Sequence, residues 1–449
     1  MALLPPPPSS SSSLVFKVHR REPELLRPEK PTPHEFKNLS DIDDQEGLRS
    51  FVRCIVFFRY NPSMEGKDPV KIIREAMVKT LVFYYPLAGR LREGENGKLM
   101  VECNGEGILF TEADAEVTLE QLGGTPQPPY PCMDELLYDV PGSKNTLNSP
   151  LLVVQVTRLK CGGFSLGIRY NHAMVDGQGL AQFVYGVSEI SRGAEAPSIL
   201  PVWERHLLSA SDPPKVTYQH LEYVDTAPNS EIHHEHLGEL VDRSFAFGAK
   251  EVATLKSLVP QGKQFTSFEI LTACLWKCRT IALQLDPDQE VRVMCVVNAR
   301  NKFKNPPLPI GYYGNAFVLP VALTTAGQLT QNPIEYALEL VQKAKGQFSQ
   351  DYVRSVASLM VTEGRPHFIT ERTFGVSDIK HSWVLAFDFG WGHAVSGGSA
   401  DAGSGEFPGC SYLMPYTDKE GGRGMVASLS LPSLAVERFQ KELDTMLLN

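Results

Sequence analysis

The sequence predicts a mixed α/β (α+β) protein built as two units. Three observations carry that prediction. Strand-like and helix-like patterns are interspersed through both halves of the 449-residue chain, which implies mixed layers rather than an all-α or all-β core. A proline-rich, aperiodic stretch at residues 197–214 reads as a crossover between the halves. The length exceeds the roughly 100–200 residues of one domain.

Residues 1–13, with Pro5–Pro8 and Ser9–Ser13, cannot pack a core and are expected to form a disordered tail. The first unit is expected over 14–196. It opens with a strand near Leu14, where Leu14, Phe16 and Val18 alternate. A helix follows over Pro69–Tyr85, carrying Val70, Ile73, Ala76, Met77, Leu81 and Tyr84 at helical spacing, and Pro86 stops it. The run from Leu151 reads as a buried strand. Gly162-Gly163 supplies a turn, and Phe164–Tyr170 returns with Phe164, Leu166, Ile168 and Tyr170 on one face. Residues 171–179 read as a loop, followed by a helix whose stripe is Leu180, Phe183, Val184, Val187 and Ile190.

The crossover and a mobile loop are expected over 197–240. Within it, His233, His234 and His236 lie in a polar stretch and read as solvated rather than metal-binding. The second unit is expected over 241–449, with strands at 243–247 and 291–298 and helices at 268–283, 333–345 and 432–447.

Composition narrows the function. Lys plus Arg total 43 against 52 Asp plus Glu, a net charge of −9. That balance argues against nucleic acid as a partner, since phosphates need clustered cations. No apolar run approaches the roughly 18 residues of a membrane span. The eight cysteines form no CxxC pair and read as free thiols, and no metal site is expected. The expected compartment is the cytosol. Leu447-Leu448-Asn449 is not a Ser-Lys-Leu peroxisomal signal, although import by an atypical signal stays open.

Two clusters could carry chemistry. In the first, His172 leaves the buried strand and Asp176 follows four residues on, flanked by Gly177 and Gly179. An imidazole with an unperturbed pKa of ~6.5 suits a general base, while Asp176 could orient the ring, pair with a distant cation or N-cap the next helix. The second cluster is Asp388-Phe389-Gly390-Trp391-Gly392, whose glycines imply a close-packed turn. No GxSxG elbow, Walker loop, HExxH helix or kinase catalytic segment accompanies them.

Together these clusters resemble the HxxxD and DFGWG motifs of the plant BAHD acyltransferase family. The likeness runs along most of the chain, through Leu39–Asp43, Tyr85–Leu91, Thr266–Glu269, Asn298–Arg300 and Gly314-Asn315 in order. Asn332–Leu340, Cys103–Phe110 and Ser198–Trp203 look most like its volatile-ester branch, which includes alcohol acyltransferases and benzyl alcohol benzoyltransferases.

The resemblance implies two chloramphenicol-acetyltransferase-like domains with an active-site channel between them. It implies an acyl-CoA co-substrate, no tightly bound cofactor, a small alcohol acceptor such as benzyl alcohol, benzoyl or acetyl as the acyl group, and a monomer. His172 would be the general base, and Asp176 would pair with Arg300 to hold the motif loop. Asp388, Gly390, Trp391 and Gly392 would be structural, and Thr266 and Ser267 would lie near CoA, though capping the following helix explains them equally well. Hydroxycinnamoyl transferases of the family carry Thr-Ser-Trp where this chain has Ser377-Asp378-Ile379. Ile379 removes an indole donor near the reacting carbonyl, which favours a small apolar alcohol over shikimate- or quinate-type acceptors, and Ser377 could still donate one hydrogen bond. A larger phenolic, terpenoid or amine acceptor is the same-fold alternative. A non-catalytic CoA-ester binder or a thioester hydrolase is the alternative of another class.

Overall fold

The computed structural model describes residues 14–130, 133–142, 145–224, 238–379, 383–400, 409–417 and 422–448. Two seven-stranded sheets organise these residues. In the first, the spatial order is Val18–Arg20, Ile108–Ala115, Leu152–Leu159, Phe164–Asn171, Phe51–Phe58 and Ser396–Ser399, with Glu24–Leu26 also on Ile108–Ala115. In the second it is Leu240–Phe247, Arg423–Pro432, Cys410–Thr417, Thr373–Asp378, Glu290–Asn298 and Phe317–Val318, with Val321–Thr325 also on Glu290–Asn298. A small third sheet joins Phe36–Asn38, Leu99–Glu102 and Arg90–Glu93.

Each large sheet buries one face under helices. Helix Pro69–Phe83 starts where Asp68 accepts the amide of Val70 and Pro69 occupies the first turn. Its buried Val70, Ile73, Met77 and Leu81 join Leu180, Phe183 and Val187 of helix Gly177–Ser191 on the first sheet. On the second sheet lies helix Ser267–Leu283, flanked by Ile334–Gly346 and Ser433–Leu448. Neighbours on both sides leave it almost wholly buried, down to Trp276 at 1% exposure.

The expected mixed architecture holds, with four revisions. Leu14, Phe16 and Val18 do pack on one face against Ile55 and Phe57. Ladder pairing starts only at Val18, however, because Val18 already meets Ala115, the last residue of the partner strand. Strand Phe164–Asn171 is buried on both faces rather than one. Gly167 is essential to that, since a Cβ there would lie 2.8 Å from the Leu136 carbonyl oxygen. The crossover is also more than a tether. Val202 forms a bridge with Tyr312, and Arg205 is buried against Asp43.

The fourth revision concerns the Asp388–Gly392 segment, expected with the second unit. Phe389 and Trp391 lie in the core of the first sheet, where Phe389 meets Phe58 edge-on and Trp391 meets Phe164 edge-on. Immediately after, Ser396–Ser399 pairs antiparallel with Cys54–Phe57. The second half of the chain thus supplies an edge strand to the first sheet. His233, His234 and His236 lie outside the described residues.

Candidate active site

The His172 backbone is fixed by the strand it leaves. Its amide donates to Ser50 O at 2.8 Å, and the turn closes as Met174 N reaches Asn171 O at 3.1 Å. The ring, half-buried, packs between Tyr170 and Phe317, both at 5.8 Å centroid separation. His172 Nδ1 lies 3.0 Å from Asn315 Oδ1. The Asn315 amide orientation follows from its other end, because Nδ2 donates to Asp43 Oδ1 at 2.9 Å and to His172 O at 2.8 Å. With the oxygen facing the ring, Nδ1 must carry the proton, which leaves Nε2 as the basic nitrogen. Burial lowers the His172 pKa, outweighing the upward pull of its own carbonyl, Asp176, Asn315 and Asp43. The resting ring is therefore neutral.

Asp176 serves the loop rather than the ring. Its Oδ1 accepts the Gly179 amide at 2.8 Å and caps helix Gly177–Ser191. Arg300 binds it with both Nη atoms, at 2.8 and 2.9 Å, and the Ala316 amide adds a contact at 3.1 Å. Burial opposes its ionisation, yet Arg300 and the two amides hold its carboxyl below the usual range. The helix start can sit this close to the opposing loop because of Gly179, where a Cβ would fall 1.9 Å from Tyr313 O.

One tripeptide of the second half gathers these contacts. Gly314 O accepts from Arg300 at 2.7 Å, Asn315 faces His172, and the Ala316 amide meets Asp176. Asn315 and Asp43 are both fully buried, and Arg205 donates to Asp43 at 2.7 Å and to Met174 O at 2.8 Å. Sequence reasoning quoted Asp43 and Asn315 within motifs but gave them no role. The available signal was polar residues in segments too short and irregular to be core.

A cavity of about 190 Å³ opens in front of His172, lined from both sheets. Val52, Ile168, Leu180 and Val184 come from the first half, and Met294 and Phe317 from the second. Ser377 and Ile379 also line it, Ser377 from strand Thr373–Asp378. Asp388, Gly390, Trp391 and Gly392 do not. Asp388 Oδ1 instead accepts the amides of Gly390 and Gly392 at 2.7 and 2.9 Å, both glycines having positive φ, and Arg192 donates to its carbonyl. Thr266 and Ser267 also lie outside the cavity lining. Thr266 is the N-cap of helix Ser267–Leu283, in a reciprocal capping box with Glu269.

The arrangement offers a neutral imidazole, its Nδ1 held by Asn315, at an apolar cavity between two halves. That geometry suits removal of a proton from a neutral nucleophile held beside an electrophile.

Comparisons with known proteins agree in kind. The chain matches the Transferase family over residues 16–446. It is 56% identical over 437 residues to a benzyl alcohol O-benzoyltransferase of Nicotiana tabacum, covering 97% of this chain and 95% of that protein. It is 49% identical over 439 residues to a (Z)-3-hexen-1-ol acetyltransferase of Arabidopsis thaliana, covering 97% and 96%. Among solved structures, vinorine synthase superposes with a TM-score of 0.71 at 22% identity, over 96% of this chain and 98% of that one, so the fold is shared. With the family matched over nearly its whole length, the chain belongs to the Transferase family as one of its BAHD acyltransferases, and it is an acyltransferase enzyme.

Proposed function

We propose that the chain transfers a benzoyl or acetyl group from a CoA thioester to a small alcohol such as benzyl alcohol, forming an ester. The observation that carries this reading is His172, its Nδ1 held by Asn315, facing an apolar cavity lined by both halves. The cavity, at about 190 Å³, is comparable to the roughly 150 Å³ apolar cavity that holds benzene. Its aliphatic and aromatic walls suit an aryl or short alkyl group. The names of the relatives, one acting on benzyl alcohol and one on a hexenol, favour the same class of acceptor.

In this mechanism the alcohol proton passes to His172 Nε2 as the oxygen attacks the thioester carbonyl. The tetrahedral intermediate collapses, the C–S bond breaks, and the imidazolium returns the proton to sulfur, leaving ester and free CoA thiol. Ser377 is the candidate donor to the developing oxyanion. Ile379 adds apolar surface beside it. A placed imidazole contributes roughly 10²–10⁴-fold, and holding both substrates in one cavity makes an acyl-enzyme unnecessary. From the family resemblance we further propose a monomer, and from the sparse, unpaired cysteines a place in the cytosol.

The test is a matrix assay with purified protein, benzoyl-CoA or acetyl-CoA, and a panel of alcohols, quantifying ester, thiol and free acid. Ester from benzyl or short alcohols is expected. Thiol with free acid and no ester would make the chain a thioester hydrolase. His172→Ala should abolish ester formation, and retained turnover would remove the general base.

A further inference from the structure

We infer that Asn315 is a positioning residue that sets the tautomer of His172, and that Asp43 orients Asn315 for this task. The inference rests on the reading of His172 as the base and adds how the base is made ready. A neutral imidazole carries its proton on either nitrogen, and only the Nδ1–H form presents a lone pair at Nε2. Water does not enforce that choice; a fixed acceptor at Nδ1 does.

Asn315 Oδ1 is such an acceptor, at 3.0 Å. An amide can flip, so its oxygen is a dependable acceptor only if the other end is pinned. Here Nδ2 is held at 2.9 Å by Asp43 Oδ1 and at 2.8 Å by the His172 carbonyl. A flip would set the Asn315 oxygen against both of those oxygens and turn its NH₂ toward the ring. Asn315 therefore clasps residue 172 at two points, accepting from the ring and donating to the backbone.

Asp43 is fixed in turn. Its Oδ2 accepts from the Ser40 amide at 3.0 Å and the Ser40 hydroxyl at 2.6 Å. Its Oδ1 accepts from Arg205 at 2.7 Å and from the Asn315 amide nitrogen at 2.9 Å. None of these groups appears in the cavity lining. Their influence on the reaction runs through the ring. The Asp176–Arg300 pair serves the start of the helix, through Asp176 contacts with Arg300 and with the Gly179 and Ala316 amides.

Asn315→Ala removes the side-chain amide while leaving Asp43 its Arg205, Ser40 and backbone amide partners, so the fold is expected to survive. The enzyme would be labelled with ¹⁵N-histidine, and the ring signals of residue 172 assigned by their loss in His172→Gln. Wild type should show the Nδ1–H form, and Asn315→Ala a shift toward Nε2–H. The same variant should lose about 100-fold in kcat, the low end of a general base's contribution, with the acyl-CoA KM within about threefold. Should Asn315→Ala not fold, Asn315→Ser reads the same quantities, since its hydroxyl can reach toward Asp43 but falls short of the ring. An unchanged tautomer with kcat within twofold would overturn the inference and leave the ring's own carbonyl as the sufficient acceptor. If His172→Gln itself retains turnover, the base assignment fails instead, whatever the tautomer does.

Discussion

His172 and Asp176 stand four residues apart and are pushed toward opposite charge states at pH 7. Burial lowers the pKa of the imidazole and keeps it neutral, while Arg300 and two backbone amides hold Asp176 ionised despite its burial. For His172 as the proposed base, the consequence lies in the pH profile. A folded-state pKa below the ordinary ~6.5 moves the acid limb of kcat/KM below that value, so activity stays level from pH 6.5 to about 8. A limb centred above 6.5 would contradict the neutral resting ring. For the pair, both partners are about one-tenth exposed, so surface screening is small. Arg300→Ala should therefore destabilise by about 3–5 kcal/mol at pH 7, read from denaturant midpoints. The sign follows from the depressed carboxyl, whose stabilisation is complete above its unfolded pKa of ~3.9 and is lost as pH falls through the lower folded value. The gap between wild type and variant should thus narrow below about pH 4, and a gap independent of pH would assign the loss to packing. His172, Asp176 and Arg300 were legible because two of them share a short spacing and the third completes a motif. Asn315 and Asp43 were not, because one acts across 143 residues of sequence and the other across 272. As isolated residues, Asn and Asp read first as turn formers.

At the level of elements, periodicity found the helices and strands with long apolar stripes, and short or polar elements escaped it. Pro69–Phe83 has both a stripe and a stop, so its limits could be read to within two residues. Ser396-Gly397-Gly398-Ser399 has neither. It is a strand because the edge of Phe51–Phe58 offers free ladder positions and because Gly398 lies against Met414, where a Cβ would sit 2.6 Å from the sulfur. Helix Ser267–Leu283 poses the opposite question, since its start had two competing explanations in sequence. The Thr266 side chain accepts the Glu269 amide at 3.2 Å, and Glu269 returns to the Thr266 amide at 2.8 Å. Thr266→Ala should accordingly lose about 1 kcal/mol of stability and leave the acyl-CoA KM unchanged. A raised KM with unaltered stability would move Thr266 into the CoA site.

Across the whole molecule, the two sheets are joined by more than a crossover. The edge strand Ser396–Ser399 and the Gly314–Ala316 segment both reach from the second half into the first, one closing a sheet and the other clamping the motif loop. The cavity is lined by residues of both halves, Gly398 and Ser399 of the inserted strand among them, which is why no single stretch of sequence outlined it. Ile379 lines it from just beyond strand Thr373–Asp378 and faces Gly398 of the inserted strand, where an added Cβ would lie 3.4 Å from its Cδ1. Replacing Ile379 by Trp puts an indole into a space of about 190 Å³. If the acyl group occupies this region, the larger group suffers more. Ile379→Trp should then reduce kcat/KM for benzoyl-CoA relative to acetyl-CoA by at least about tenfold, within the range that one apolar pocket can discriminate. Both donors should be assayed against the same alcohol, so that any change in acceptor fit cancels in the ratio. An unchanged ratio would place the acyl group away from Ile379 and leave this wall of the cavity to the alcohol.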